Sequence, residues 1–427
     1  MRQSLLLALL AAGNIGIAFL YQWYVLVALG PGVETDALFA GMTVPQIVLA
    51  VVSGSLAHVL VPLLAGEQDD RLRQDAWGFF VLAGTLFAAI AALLYILAPW
   101  WVFYMVLGFS DAGKDLTLAL TRIQLVGMVF GALSGVQWAV YHSRQRFVWA
   151  ELAPLISLGF CIGPLVWALP RYGVEAAAWI GVLRLVIQTA LQMPVLGAWV
   201  RPDLKSGAVR EAWRRIKPLL WGSAYYRTDP LVDRFLLSMS GSGSLSLYYL
   251  AQQIYAAGNS ILNKAVAAPL VPRLSVFHKA GDAAGFRNAY RRQLVRVGLV
   301  SGVSLPLVIF FGQPLLSVLV GHGAVTDANV TTLWQIMLGL VGMFVGGAMG
   351  LISSLAFYAQ GDTRLPTRIG IITYTIYVPV KVVCFVIGGP MALALSASAF
   401  YLTNLLFQYL YLEKSGFVRE QANDATQ

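Results

Sequence analysis

The sequence predicts an all-α polytopic membrane protein, with about twelve transmembrane helices in two six-helix lobes and both termini in the cytoplasm. Three observations carry this prediction. The 427 residues are 58% hydrophobic and only 11% charged, with mean hydropathy +0.72; soluble proteins carry about a quarter charged residues. The apolar residues also come in runs of roughly 20 or more, the length that crosses about 30 Å of hydrocarbon as helix. Finally, Lys and Arg concentrate in alternate loops. The alternating strands of about ten residues that a membrane barrel needs are not visible.

Polar punctuation divides the runs into spans near 5–29, 35–65, 76–107, 116–141, 147–169, 174–198, 216–238, 245–272, 295–320, 329–358, 366–388 and 391–412. The first follows Arg2 like a secretory signal, but it continues too far for a signal's apolar core and is read as a retained helix. Spans longer than 25 residues imply tilt or kinks. Pro45 and Pro62 in the second span, and Pro154 and Pro164 in the fifth, are the expected kink sites.

Loop charge sets the orientation. The N-terminus, the even-numbered loops and the C-terminus hold 21 Lys and Arg; the opposite loops hold only Lys114 and Arg171. The positive-inside rule therefore places both termini in the cytoplasm. The net charge of +9 is accounted for by topology and contact with anionic lipid, so no nucleic-acid partner is invoked. The basic segments "RPDLKSGAVREAWRRIK" (201–217) and "RLSVFHKAGDAAGFRNAYRRQLVR" (273–296) are expected to lie as amphipathic pieces on the inner leaflet.

The first of these marks the midpoint. Residues 1–200 are read as an N-terminal lobe, 201–217 as a cytoplasmic linker, 218–415 as a C-terminal lobe and 416–427 as a cytoplasmic tail. Internal similarity agrees: "HVLVPLLA" (58–65) resembles "APLVPRLS" (268–275), and "AVYHSRQRF" (139–147) echoes "AFYAQGDTR" (356–364). Both pairs keep the same membrane side, as parallel repeats do.

Several chemistries find no support. Cys161 and Cys384 each lie in an apolar run and read as packing thiols. His58, His142, His278 and His322 lack ligand spacing, and no GxxxxGK[ST] phosphate loop occurs. No nucleophile–base constellation is apparent, so an enzyme is not expected.

Ionisable residues inside spans are the informative ones, since each costs roughly 2.5–3.5 kcal/mol at the bilayer centre. Arg122, Lys381, Asp36 and Glu151 lie near span ends, where snorkelling or interfacial packing accounts for them. Arg184, Arg227, Asp229, Asp233, Arg234 and Lys264 are deeper. In "WGSAYYRTDPLVDRFLLSMSG" (221–241), Arg227 and Arg234 fall ~20° apart on a helical wheel, whereas Asp229 and Asp233 share another face. Pro230 would free a backbone carbonyl near residue 226. Two readings stand: ion pairs that brace helices, or a hydrated cavity in which guanidinium groups bind phosphate oxygens in a fork. Gln252, Gln253 and Asn259 extend the polar material to the eighth span. Tyr225 and Tyr226 suit sugar stacking, while Tyr248 and Tyr249 fit an interfacial belt better.

The sequence resembles the MurJ/MviN-type flippases of the multidrug/oligosaccharidyl-lipid/polysaccharide (MOP) exporter superfamily. The resemblance is carried by "LGPGVETDALFAGMTVPQIV" (29–48), "LVPLLA" (60–65), "LTRIQ" (120–124), "RQRFVWAELAPLI" (144–156), "GVLRLVIQTALQMPVL" (181–196), "LYYLAQQIY" (247–255), "LVPRLS" (270–275), "GHGAVTDANV" (321–330) and, most specifically, "FYAQGDTRLPTRIG" (357–370). It implies alternating-access transport of a lipid-linked saccharide through a cavity formed by the first, second, seventh and eighth spans.

This chain departs from that pattern in two ways. The family's usual two further C-terminal helices are missing from the twelve spans. The first-span Arg-Asp pair is replaced by Tyr21 and Gln22, the second-span basic pair by Leu49 and Ala50, and the eighth-span arginine by Gln253; only Asp36 of the set remains.

The expected function is therefore translocation of a polyprenyl-diphosphate-linked saccharide, an exopolysaccharide or O-antigen unit or a lipid II-like precursor, across the bacterial inner membrane. A MATE-like cation or drug antiporter is the alternative. A non-transporting subunit of glycan-synthesis machinery is a third class, and that machinery is also the candidate protein partner. Candidate substrate-contacting residues are Arg227, Arg234, Lys264, Gln253, Arg184, Tyr21 and Gln22. Asp36, Asp229 and Asp233 are candidates for coupling or gating. No cofactor is expected; H+, Na+ or the membrane potential are the candidate driving forces.

Overall fold

A computed structural model describes residues 2–204 and 206–414; the side chains of residues 2–5, 8, 52–58, 218–224, 226 and 264–269 are outside the described set. The described residues form thirteen α-helices and no strand: α1 Arg2–Leu29, α2 Val33–Gly41, α3 Thr43–Leu64, α4 Asp69–Met105, α5 Asp111–Ser143, α6 Phe147–Gln192, α7 Gly207–Ala224, α8 Asp229–Ser238, α9 Ser244–Lys279, α10 Ala283–Gly302, α11 Ser304–Leu319, α12 Asp327–Ala359 and α13 Arg364–Lys414. Among them, seven helical stretches are long and apolar enough to cross a membrane, as an all-α polytopic protein requires.

The described helices follow the predicted spans in chain order, the two longest, α6 and α13, holding two predicted spans each. At 46 residues, α6 would reach about 69 Å as one rod, twice what a bilayer needs. It doubles back at Gly173, whose φ of 63° lies in the left-handed region that only glycine enters freely. The indole of Trp149 then donates to the Leu191 carbonyl of the returning half at 3.0 Å. Gly389 does the same for the 51-residue α13 (φ 60°), where the Tyr377 and Phe400 rings of the two halves stack 4.5 Å apart. Pro154 and Pro164, expected as kinks, sit within α6 without a non-helical residue beside them. In the second span the break falls at Met42, so Pro45 occupies the first turn of α3, where a missing N–H costs nothing.

The chain divides into two compact units, Met1–Ser246 and Leu247–Gln427. In the first, α5 is central and packs against α2, α3, α4 and α6, while α1 lies on α6. Gln137 of α5 donates to the Thr189 carbonyl (3.1 Å), and the Ser134 and Thr189 hydroxyls share a hydrogen bond (2.9 Å). In the second, α12 and α13 form the main pair. A Cβ at Gly339 would lie 2.7 Å from that of Ala394, and one at Gly346 would lie 2.8 Å from the Tyr401 backbone. Small residues thus permit the close approach that membrane helices use for packing.

The seventh predicted span differs from expectation. Its helix is interrupted: α7 ends at Ala224, a short 3-10 segment covers Tyr226–Thr228, and α8 starts at Asp229. Pro230 therefore sits in a helix's first turn rather than kinking a continuous one. The ~20° relation between Arg227 and Arg234 assumed unbroken helix and does not hold.

Candidate functional site

A cavity of about 200 Å³, mostly apolar but with one polar patch, lies inside the first unit, among α1, α2, α3, α5 and both halves of α6. Its polar lining comprises Tyr21 and Gln22 of α1, Gln46 of α3, Gln124 of α5 and Arg184 of α6; Leu49 forms part of the apolar wall. Tyr21 is fixed by donating its hydroxyl to the Ala177 carbonyl at 2.6 Å. That bond fastens α1 to α6 and leaves the phenol ring edging the cavity beside Arg184. The guanidinium has Tyr21 and Cys161 as its electrostatic neighbours. Among the described residues that line the cavity there is a single cation and no carboxylate. Such a chamber offers hydrogen-bond donors and one positive charge, which suits an anion or a polyhydroxylated group and disfavours a cation.

The structure thus brings together three predicted residues, Tyr21, Gln22 and Arg184, from helices more than 150 positions apart. Gln46 and Gln124, which sequence reasoning did not single out as site residues, join them. Their signal was an amide inside an otherwise apolar span, weaker than a charge.

A second polar group centres on Asp36, in the first turn of α2 and only 2% exposed. Its two carboxylate oxygens accept the backbone N–H groups of Gly243 and Ser246, each at 2.7 Å. It therefore supplies from another element the cap that the first turn of α9 lacks. Gly243 makes this seat, with φ +89° and a Cβ position 2.9 Å from the Pro31 carbonyl oxygen. Arg234, expected to face a substrate, is 3% exposed. Its Nε donates to the Thr43 hydroxyl at 3.2 Å, and its charge acts on Asp36. Arg234 and Asp36 are thus engaged by hydroxyl and amide partners and stand apart from the cavity lining.

The remaining candidates are dispersed. Arg227 is exposed in the 3-10 segment, Asp229 is half-buried and Asp233 is buried on α8. Gln253 is half-buried in the second unit, and the Lys264 side chain lies outside the described residues. Tyr248 and Tyr249 are 0% and 4% exposed, so they are core residues rather than an interfacial belt. Lys381, expected to snorkel, is fully buried, with its ammonium 5.1 Å from the centre of the Tyr377 ring. Neighbouring aromatics here accommodate a charge that helix-end position alone would send to the headgroups. Arg122 likewise lies over Tyr95, 4.6 Å from the ring centre.

Comparison with known proteins follows the same outline. The family described as "Lipid II flippase MurJ" matches residues 26–425. The lipid II flippase MurJ of Burkholderia cenocepacia is 25% identical over 410 residues, covering 91% of this chain and 79% of that one. Among solved structures, a lipid II flippase MurJ in an inward closed conformation superposes with TM-score 0.81 at 16% identity, covering 96% of this chain and 88% of the other. An inward-facing MATE-family multidrug resistance transporter of the MOP superfamily gives TM-score 0.77 at 15% identity, covering 94% and 93%.

Proposed function

The chain belongs to the MurJ family of lipid II flippases, and from that membership we propose that it moves a polyprenyl-diphosphate-linked saccharide from the cytoplasmic to the outer leaflet by alternating access. Family membership makes it a multi-pass lipid flippase of the bacterial inner membrane serving the cell envelope, a transporter rather than an enzyme.

The observation that carries the substrate class is the charge of the first-unit cavity: Arg184 with Tyr21, Gln22, Gln46 and Gln124, and no carboxylate among its lining. A drug or metal cation would meet a positive, acid-free wall, which argues against the MATE-like reading. A diphosphate or sugar acid would meet a guanidinium fork and amide donors. In this reading Arg184 is the primary anion contact and Tyr21 its orienting neighbour. Asp36 acts in gating by holding or releasing the turn at residues 243–246, and H+, Na+ or the membrane potential drives the cycle.

Three of the positions at which this chain departs from the family's cavity residues, Tyr21, Gln22 and Leu49, line this same cavity, which supports the reading. Loss of those cations favours a glycan other than the peptidoglycan precursor, such as an exopolysaccharide or O-antigen unit. The deciding experiment deletes the gene and identifies the lipid-linked saccharide that accumulates on the cytoplasmic leaflet. It is paired with rescue by wild type and by Arg184→Gln. Failure of Arg184→Gln to rescue at normal protein levels supports the reading, whereas full rescue removes Arg184 from it. If the chain alone sustains peptidoglycan synthesis in cells depleted of their own flippase, the alternative glycan is ruled out as the sole substrate.

A further inference from the structure

Helix α7 is strongly two-faced. On a 100° wheel Val209, Ala212, Trp213 and Ile216 share one arc, and Arg210 and Lys217 fall together beside Trp213 at its edge. Ala212 and Ile216 are buried in the apolar cluster that includes Phe79 and Ala83 of α4, which fastens the helix to the first unit.

Packing does not use the whole arc. Between α4 and α7 runs a groove of about 530 Å³ lined entirely by apolar residues, among them Phe79, Leu82, Leu86 and Ile90 of α4 and Val209 and Trp213 of α7. That volume is within the roughly 300–1,000 Å³ of small-molecule sites. Its α4 wall, from residue 79 to 90, extends about 16 Å at 1.5 Å per residue, close to half of a roughly 30 Å hydrocarbon core. The groove is therefore about one leaflet deep. Leu82, Leu86 and Trp213 are 37%, 42% and 57% exposed, so it opens outward.

The leaflet follows from charge. The segment carrying α7 belongs to the Lys/Arg-rich side of the chain, and the exposed indole of Trp199, packed on Trp77 at 4.6 Å, marks headgroup level. Glu211 engages Arg214 and Arg215 at 2.8 and 2.7 Å. The side chains of Arg210 and Lys217, which the wheel places beside the groove, have no hydrogen-bond or ion-pair partner among the described residues.

We propose that the α4–α7 groove is an inner-leaflet binding site for an anionic phospholipid, with one acyl chain along Phe79–Ile90 and the acidic headgroup on the basic edge formed by Arg210 and Lys217. The apolar groove supplies the chain contact, and the two cations along the adjoining flank of α7, about 10 Å apart at 1.5 Å per residue, supply the preference for negative charge. The site is distinct from the Arg184 cavity, shares no lining residue with it, and does not depend on the substrate proposed above.

The test uses the full-length protein, purified in detergent and titrated with phosphatidylglycerol or phosphatidylcholine of identical chains, with retained lipid counted by native mass spectrometry. One tightly retained phosphatidylglycerol is expected. Two basic residues, each worth roughly fivefold at an anionic surface, should favour it by about thirtyfold over phosphatidylcholine. Arg210→Gln/Lys217→Gln should abolish the preference. Leu86→Trp, which fills the groove from an exposed position, should reduce retention of both lipids. Equal retention of the two lipids by wild type would overturn the proposal. So would a double Gln variant that keeps the preference, or a folded Leu86→Trp that retains lipid like wild type. Displacement of phosphatidylglycerol by an equimolar polyprenyl phosphate would assign the groove to substrate and overturn it as well. If Leu86→Trp fails to fold, the two-lipid comparison and the double Gln variant still decide.

Discussion

Replacing Asp36 with alanine tests the cap that joins α2 to the start of α9. The wild-type carboxylate accepts two backbone N–H groups at 2.7 Å, from Gly243 and Ser246, at a site 2% exposed. A hydrogen bond to a charged group contributes about 1.5–3 kcal/mol, so two would nominally give about 3–6 kcal/mol. Exposed helix caps lose only about 0.5–2 kcal/mol on truncation, because water replaces the lost acceptor. Burial decides between these ranges: water reaches the amides only if the turn opens, so the local cost should be about 3 kcal/mol, near the low end of the two-bond sum. Loss of the negative charge acting on Arg234 adds in the same direction. Amide hydrogen exchange read by mass spectrometry on peptides covering 241–250 should then quicken roughly a hundredfold, since each 1.4 kcal/mol is a factor of ten. Peptides from α12 serve as the internal control. Exchange within threefold of wild type, or equal acceleration in α12, would refute the capping argument. Asp36→Asn, which keeps one acceptor oxygen, should fall between.

Three further outcomes follow from named contacts. Gly243→Ala should destabilise the same turn, because its left-handed φ and the 2.9 Å approach to the Pro31 carbonyl leave no room for a methyl group; faster exchange at 241–250 is the readout. Glu413→Gln removes the shared partner of Arg287 and Arg291; with both arginines nearly half exposed, the loss in thermal stability should correspond to only about 1 kcal/mol and shrink in high salt. Glu67 has its carboxyl pushed above the usual carboxylate range by burial, and then by the neighbouring Asp75. The folded state therefore binds the proton more tightly than the unfolded state, and wild-type stability rises as pH falls through the folded-state pKa. Glu67→Gln should accordingly melt higher at neutral pH, with its advantage closing as the pH approaches the ordinary glutamate range of about 4.3; an advantage that widens on acidification would contradict this.

The all-α membrane class was legible because membrane crossing is written in composition. Long apolar runs and one-sided Lys/Arg require no tertiary information, and the returns at Gly173 and Gly389 fall at glycine-bearing gaps between runs. The seventh span was not read correctly because its wheel assumed an unbroken helix. The Thr228-Asp229-Pro230 sequence itself carries a helix-start signature, with acidic and proline residues in a first turn, yet high hydropathy on either side argued for continuity. Lys381 was misplaced for a related reason: distance from a helix end says nothing about a ring from the same helix lying 5.1 Å from the ammonium.

The candidate site shows most clearly what local sequence can and cannot supply. Residues 227–234 are the densest charge cluster in the predicted spans, but density favours mutual satisfaction. The structure gives Arg234 to Thr43 and Asp36 and leaves Arg227 on the surface. Arg184 is isolated along the chain and has no acid within four residues on either side. That isolation leaves its guanidinium without a carboxylate in the cavity it lines. In a low-dielectric interior a cation is tolerated when hydrogen-bonding groups surround it, and here the amides of Gln22, Gln46 and Gln124 and the phenol of Tyr21 line the same chamber. Such neutral groups stabilise the site without neutralising it, so its positive field remains available to an anion. Where the resemblance implies an Arg-Asp pair on the first span and a basic pair on the second, this chain has one cation reaching the cavity from α6. The prediction that separates relocation from simple loss is a swap: Tyr21→Arg with Arg184→Gln should restore transport that Arg184→Gln alone abolishes. If the double variant is folded and inactive, charge at this cavity is not what the substrate reads.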